Sequence, residues 1–257
     1  MTKARMLITA RSMLPNRAWT KRHEDNVLAA IAGYVDTFSF VALFGLFTAH
    51  VTGNFVLIGV DIAGFGQGIF TKLMTFPAFV SGIVSSSAVV KILRSQEADR
   101  RAASLYAMQA ALLVAFCFSG IGIEPALGAD SVPVVVCGML GAAAMGVQNA
   151  HSRLIERVGV PNTVMTGNVT QAVLDAVNLA SSETPVDTKG AVRARLGKTL
   201  RVISCFGSGA VIGALAYRYV SFWALMLPVA LLVTLALSLF LNAPGAQDRA
   251  AMPGPNP

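Results

Sequence analysis

Long apolar stretches separated by short polar ones make up most of the chain. A membrane-crossing α-helix needs roughly 20 predominantly apolar residues. Six stretches have about this length, namely Val27 to Thr48, Met74 to Leu93, Ser104 to Ile123, Val132 to Ala150, Leu200 to Tyr217 and Phe222 to Leu241. The pattern therefore predicts an all-α, polytopic membrane protein with six transmembrane helices.

Two further apolar pieces, Phe55 to Phe65 and Val169 to Ala180, are too short to cross a bilayer alone. An α-helix rises about 1.5 Å per residue, whereas the hydrocarbon core is about 30 Å thick. If the first piece were a full crossing, the basic loop between Lys91 and Arg101 would lie outside the cell. Both pieces are therefore predicted to be half-helices, either half-penetrating or lying at the interface.

Composition and charge agree with a membrane protein. Of the 257 residues, 54% are hydrophobic and only 13% are charged, against about a quarter charged in soluble domains. The formal net charge is +7. The cations lie between apolar runs and not on one soluble face, so the lipid bilayer is the expected partner and nucleic acid is not.

The basic residues also predict the topology. They cluster before the first span, between the second and third spans, and between the fourth and fifth spans. Positively charged loops stay in the cytoplasm, so both termini are expected there. The predicted organisation is a basic cytoplasmic tail at 1–25, one transmembrane domain at 26–241 and a disordered tail at 243–257.

Polar residues inside the apolar stretches occur in two matching sets. "TGNFVLIGVD", from Thr52 to Asp61, is matched by "TGNVTQAVLD", from Thr166 to Asp175. "AGYVD" resembles "MGVQN", which aligns Asp36 with Asn149, and "SGIVSS" from Ser81 resembles "SGAVIG" from Ser208. Because each half has three spans, an odd number, the second half (132–241) should be inverted relative to the first (26–123). Such 3+3 inverted repeats with broken helices are common in secondary transporters.

The duplicated tripeptide suggests a binding site. Threonine or asparagine is expected to cap each half-helix, and two half-helices entering from opposite sides would point their positive N-terminal ends at each other. A small anion or a polar solute would then lie between them. The predicted substrate-binding residues are Asp36, Thr52, Gly53, Asn54, Asn149, Thr166, Gly167 and Asn168. Asp61, Asp175 and His50 are the candidate groups for coupling to an ion or proton.

Asp36 is the most informative single position, because an acid within a span costs roughly 2.5 to 3.5 kcal/mol on insertion scales. It should face a cavity or a partner. Gln148 and Asn149 are expected either to join helices by hydrogen bonding or to contact a ligand, and Tyr106 and Gln109 are expected at the interface. In the alternative interpretation, the tripeptides only cap interfacial helices and bind no solute.

The predicted function is transport of a small solute that the sequence does not identify, by alternating access around the two tripeptides. Two alternatives stay open: an aquaporin-like channel, and a non-transporting scaffold or sensor. No arrangement of nucleophile, base and orienting group argues for an enzyme, and no ligand spacing argues for a metal or other cofactor. A homo-oligomer is compatible with the sequence.

Four motifs together resemble one known family. "GYVDTFSF" and "FTAHVTGNFVLIG" in the first half, with "GVQNA" and "VMTGNVT" in the second, are similar to the YoaK family of bacterial integral membrane proteins. The resemblance covers roughly Asn26 to Leu241. It implies a bacterial cytoplasmic-membrane location and about six helices, but it implies no substrate.

Overall fold

The structure is a computed structural model that describes residues 15, 17–123, 127–155, 159–181 and 185–241. These ranges are almost entirely helical. The α-helices are α1 (Arg17–Ala42), α2 (Gly53–Ile62), α3 (Ile69–Ile92), α4 (Ala98–Ile121), α5 (Val132–Leu154), α6 (Met165–Ala180), α7 (Val186–Val220) and α8 (Met226–Leu241), with a 3-10 turn at Ser221–Leu225 between the last two. Most of the predicted basic tail and the whole predicted disordered tail lie outside the described residues; residues 17–25 form the first turns of α1.

The long helices are apolar enough to cross a membrane. Within the described ranges, four segments meet the requirements of length and composition, namely Ile69–Ile92, Ala98–Ile121, Val132–Leu154 and Asp187–Leu241. The last contains both α7 and α8, which are separated where Ser221 takes a positive φ of 51°. The molecule is thus an all-α, multi-pass membrane protein.

Contacts between helix ends define two faces of the bundle. Where α1 begins, Lys21 lies 3.1 Å from Asp99 at the start of α4, and Thr20 is hydrogen-bonded to Ser238 near the end of α8. We call this end the N face. At the opposite end, the far face, the Tyr34 hydroxyl donates to the carbonyl of Ala224.

Two pairs of long helices run parallel and in close contact. Along α1 and α7, Gly209 lies against the backbone of Ala30 and Gly213 against that of Tyr34. The spacing advances by four residues on both helices, so they point the same way. Along α3 and α5, Gly138 lies near Thr75, and Gly146 against the backbone of Phe79. Glycine is needed at Gly146, Gly209 and Gly213 because a Cβ there would overlap the facing backbone.

The remaining long helices complete the bundle. α4 packs against α5 and α8, and runs antiparallel to α8, since Cys117 lies at Phe222 while the Arg100 guanidinium lies 5.5 Å over the Phe240 ring. An aromatic cluster of Phe38, Phe116, Tyr217 and Phe222 ties α1, α4 and α7 together near the far face. The short helices lie outside this bundle, α2 against α3 and α6 against α7.

Candidate functional site

Asp36 holds the chain where it turns back after α1. α1 ends at Ala42 because Phe44 and Gly45 have φ values of 53° and 75°, and the following residues return along the helix. The carboxylate Oδ1 of Asp36 accepts backbone N–H bonds from Thr48 at 2.8 Å and Ala49 at 2.7 Å. Its Oδ2 lies 2.6 Å from Nδ1 of His50. A buried carboxylate needs such partners, and Asp36 is only 3% exposed.

Asn54 fixes the same turn from the other side. Its Oδ1 accepts the backbone N–H of Phe47 at 2.9 Å, and its Nδ2 donates to the Phe47 carbonyl at 2.7 Å and to the Thr75 hydroxyl at 3.0 Å. Residues 43–52, which we call the first connection, are therefore bound to α1, α2 and α3. This connection leads into the N-terminus of α2 part-way along α1.

The second tripeptide makes a matching contact. Nδ2 of Asn168 donates to the carbonyl of Pro161 at 2.6 Å, seven residues upstream, as Asn54 does to Phe47. Residues 159–164, which we call the second connection, also contact α5, where Oδ1 of Asn149 accepts from the Thr163 hydroxyl at 3.1 Å. Asn149 and Asp36 thus both bond to the connection that follows their own helix.

The predicted caps are not observed. Thr52 is the N-cap of α2 and Val164 that of α6, and neither makes a side-chain cap bond. Thr166, Gly167 and Asn168 lie within the first turn of α6. The capping prediction was wrong because each buried asparagine instead bonds to the connection ahead of its helix, Asn54 to Phe47 and Asn168 to Pro161.

Both candidate coupling carboxylates are in ion pairs. Asp61 of α2 lies 2.7 Å from the Lys72 ammonium of α3, and both side chains are 4% exposed. Asp175 of α6 accepts two bonds from the Arg195 guanidinium of α7, at 2.6 and 2.9 Å. Hydrogen bonding by Arg195 lowers the pKa of Asp175 below its ordinary value. Each pair ties a short helix to the next long helix.

Two glutamines join the halves of the chain. Nε2 of Gln148 donates to the carbonyl of Leu28 at 2.7 Å and to Oδ1 of Asn162 at 3.2 Å, and Oε1 of Gln148 accepts from Gln109 at 2.7 Å. Gln148 therefore has the expected role of joining helices. Gln109 and Tyr106 are each only 1% exposed, so their predicted interfacial position was wrong; the sequence does not reveal which side of α4 faces α5.

The two tripeptide turns lie at different depths. The first connection bonds to α1 at Asp36, whereas Asn162 of the second connection is linked to α1 at Leu28 through Gln148 of α5. Eight residues of α-helix correspond to about 12 Å. The first turn lies toward the far face and the second toward the N face.

A polar cavity of about 240 Å³ adjoins the second turn. It lies between the start of α1, the end of α5 and the second connection. Its lining includes Glu24, Asp25, Asn149, His151, Ser152, Arg153 and Asn162. Of the predicted substrate-binding residues, Asn149 lines this cavity, while Asp36 and Asn54 lie outside it. Sequence reasoning missed Glu24, Asp25 and Asn162, which precede or follow the apolar runs and have no counterpart in a known motif.

The described residues contain no cluster of three or more His, Cys, Asp or Glu side chains that would hold a metal ion. The candidate site therefore consists of amides, hydroxyls, carboxylates and histidines. Such groups suit a small polar solute or a proton.

Comparisons with known proteins concern most of the chain. A family model described as a protein of unknown function (DUF1275) matches residues 26–238. The UPF0700 transmembrane protein YoaK of Bacillus subtilis (strain 168) is 27% identical over 151 residues, which is 58% of this chain and 64% of that protein. The match thus spans less than two thirds of the relative's length. No solved structure matches the chain.

Proposed function

Because the chain belongs to the YoaK-like family of proteins of unknown function (DUF1275), as its motifs predicted, we propose a function from its own geometry. The protein transports a small polar solute across the membrane, using two inverted halves that expose a site to each side in turn. The observation that carries this proposal is the duplication of polar and glycine contacts at opposite ends of one bundle.

Four glycine contacts support the inverted halves. Gly33 of α1 lies against the carbonyl of Phe206 in α7, and Gly146 of α5 against that of Phe79 in α3. These glycines match in the internal alignment of "AGYVD" with "MGVQN". The reciprocal contacts match too, since Gly82 meets Ala143 and Gly209 meets Ala30. In each case the first long helix of one half packs parallel to the second long helix of the other, as a two-fold axis in the membrane plane requires.

The polar contacts follow the same relation. Asn54 and Asn168 each bind the carbonyl seven residues upstream. The Asp61–Lys72 pair and the Asp175–Arg195 pair each join a short helix to the following long one. Because the first set lies toward the far face and the second toward the N face, each side of the membrane has its own copy.

The two copies differ in how tightly they are closed. In the first half, Asp36 binds two backbone N–H groups and His50. In the second half, the hydroxyl of Thr163 donates to Asn149, and the cavity lies beside these residues. In the proposed cycle, this state is the one open at the N face and closed at the far face. Exchanging the conformations of the halves would open the first connection and close the second, which is alternating access.

In this proposal the solute binds first beside Asn149 and Asn162. In the opposite state, Asp36 and Asn54 line the equivalent opening, so the site residues act in turn and not simultaneously. Among the described residues, most of the basic side chains lie toward the N face, including Lys21, Arg100 and Arg153. Under the positive-inside rule this face is cytoplasmic in a bacterial inner membrane. The reaction is movement of a solute and includes no chemical conversion.

Uptake by the purified, reconstituted protein tests the proposal. Proteoliposomes would be offered labelled amino acids, sugars, amines and carboxylates one at a time, with empty liposomes alongside. We expect saturable uptake of at least one solute. Asn54→Ala and Asn168→Ala should each lower it about tenfold or more, since a buried amide contributes 1–3 kcal/mol. Thr170→Ala, an exposed position on α6, is the matched control.

The outcomes separate the alternatives. Uptake that is absent for every solute class would contradict transport. Flux that rises linearly with concentration would instead indicate a channel. Wild-type uptake in both asparagine variants would remove the site assignment while leaving transport intact.

A further inference from the structure

Three titratable side chains from three helices meet beside the N-face cavity. The Tyr106 hydroxyl of α4 donates to Oε1 of Glu24 in α1, and Nε2 of His151 in α5 lies 3.5 Å from the same oxygen. The Tyr106 and His151 rings stack at 4.8 Å between centroids. Glu24, Tyr106 and His151 are 4%, 1% and 5% exposed, so this cluster is buried.

Burial determines which charge states this cluster prefers. An isolated charge away from water is costly, so one proton shared by Glu24 and His151 gives two low-energy arrangements: a carboxylate with an imidazolium, or a carboxylic acid with a neutral imidazole. A second proton makes the pair cationic, and removing both makes it anionic. Histidine changes charge near neutral pH, and coupled groups titrate as a pair. The cluster is therefore able to take up and release a proton.

The cavity supplies the path for that proton. Glu24 and His151 both line it, together with Ser152 and Arg153, which are exposed. The cavity therefore offers a short path for a proton between the N face and the buried carboxylate, which the hydroxyl of Tyr106 holds in place.

Other charged groups lie near Glu24 in the part of the chain that the structure describes. Asp25 and Arg153 line the same cavity, and Asp25 accepts the backbone N–H of Val160 at 3.0 Å. One turn earlier, Lys21 pairs with Asp99. On α7, the side chains of Lys198 and Arg201 are exposed. Helix α8 has no ionisable side chain.

We propose that Glu24, with Tyr106 and His151, forms a proton-binding site that couples transport to a proton gradient; the coupling role rests on the proposed function. A hydronium ion in the cavity gives its proton to the Glu24 carboxylate and leaves as water. Protonation removes the charge attraction between α1 and α5 at this point. Asn149 and Asn162 line the same cavity, so a bound solute and a bound proton affect the same closing movement.

Infrared difference spectroscopy of the purified protein, without solute, tests the site. Spectra recorded in acidic and in alkaline buffer should differ by the C=O band of a protonated carboxyl. We expect Glu24→Gln to lose this band and Glu97→Gln, the same substitution at an exposed position on the N face, to keep it. Coinciding difference spectra for the wild type and Glu24→Gln would overturn the proposal.

Further variants keep the test decisive if Glu24→Gln does not fold. Glu24→Asp should retain the band at a shifted frequency. In the arrangement with an imidazolium, His151 is a cation beside the carboxylate. His151→Gln removes that arrangement, so it should raise the proton affinity of the carboxyl about tenfold, which moves the midpoint of the band toward higher pH. An unchanged midpoint in His151→Gln would overturn the pairing.

This measurement is independent of uptake. If the band depends on Glu24 but the reconstituted protein moves no solute, the proton site stands and transport is wrong. If uptake is found and the infrared spectra show no titration of Glu24, transport stands and this coupling site is wrong.

Discussion

The ammonium of Lys72 lies 2.7 Å from the carboxylate of Asp61, and both side chains are almost completely buried. Lys72 also donates to the carbonyl of Gln67 at 2.6 Å. The pair fixes α2 against α3 at the far face. Because the pair joins α2 to α3, it should stay intact in the proposed state that is closed at the far face.

Breaking this pair should destabilise the protein. Lys72→Met leaves the Asp61 carboxylate buried without its cation, a loss of about 3–5 kcal/mol. The double variant Lys72→Met/Asp61→Leu removes both charges and should recover most of that stability. Thermal unfolding in detergent measures both effects. Equal destabilisation by the single and double variants would contradict the predicted coupling.

The glycine crossing between α1 and α7 gives a second prediction. In Gly209→Ala the new Cβ overlaps the backbone of Ala30, so the helices must move apart at a cost of about 1–3 kcal/mol. Gly207→Ala, two residues earlier on α7, adds a methyl group with nothing within 4 Å and serves as the control. The midpoint of thermal unfolding should fall only for Gly209→Ala. A fall of the same size in both variants would indicate a general effect of alanine on this helix.

Asp36 and Asn149 occupy matching positions but hold their connections differently. Asp36→Ala leaves two buried backbone N–H groups and His50 without their carboxylate partner. It should lower the free energy of unfolding by about 3 kcal/mol or more. Asn149→Ala loses the bond from Thr163 and should cost about 1 kcal/mol. Unfolding midpoints of the two variants, measured side by side, check this order. The reverse order would contradict the proposed closed state of the first connection.

The Asp175–Arg195 pair gives a pH dependence. Arg195 lowers the pKa of Asp175 in the folded protein, so the pair adds stability above the ordinary carboxyl pKa, and that stability is lost as the pH falls through the lowered value. Arg195→Gln should therefore be less stable than the wild type at neutral pH. The difference should disappear in strong acid. Unfolding curves across this range give the measurement, and a constant difference would contradict it.

The lengths of the apolar runs predict most of the helices. They do not predict at which level of the bundle the two turns lie. Each predicted span or half-helix overlaps a helix of the structure, because long apolar runs allow little else in a bilayer, but only four segments of the described residues meet the requirements for crossing a membrane, against the six predicted. The first span was predicted to continue to Thr48, yet α1 ends at Ala42. Leu43 to Thr48 are mostly apolar, so hydropathy alone does not distinguish them from helix; the positive φ values of Phe44 and Gly45 produce the turn.

Some of the hydrogen bonds at the two turns were predicted, whereas the substrate-binding role of these residues stays a prediction. Asp36 was expected to have a partner because of its cost in a span, and its bonds to Thr48 and Ala49 supply one. These partners are backbone N–H groups. Every residue except proline has one, so the sequence does not identify which of them bind Asp36. Glu24 was missed because it stands among charged residues before the apolar run. Its burial depends on Tyr106, a residue 82 positions away.

The parallel pairing of α1 with α7 and of α3 with α5 has a consequence for biosynthesis. Each partner comes from the other half, so the first half emerges from the ribosome with the glycine faces of α1 and α3 uncovered. These faces stay open to lipid until α5 and then α7 are inserted, more than 100 residues later for α1. The two halves are thus interlocked, and neither reaches its final packing as a separately made fragment.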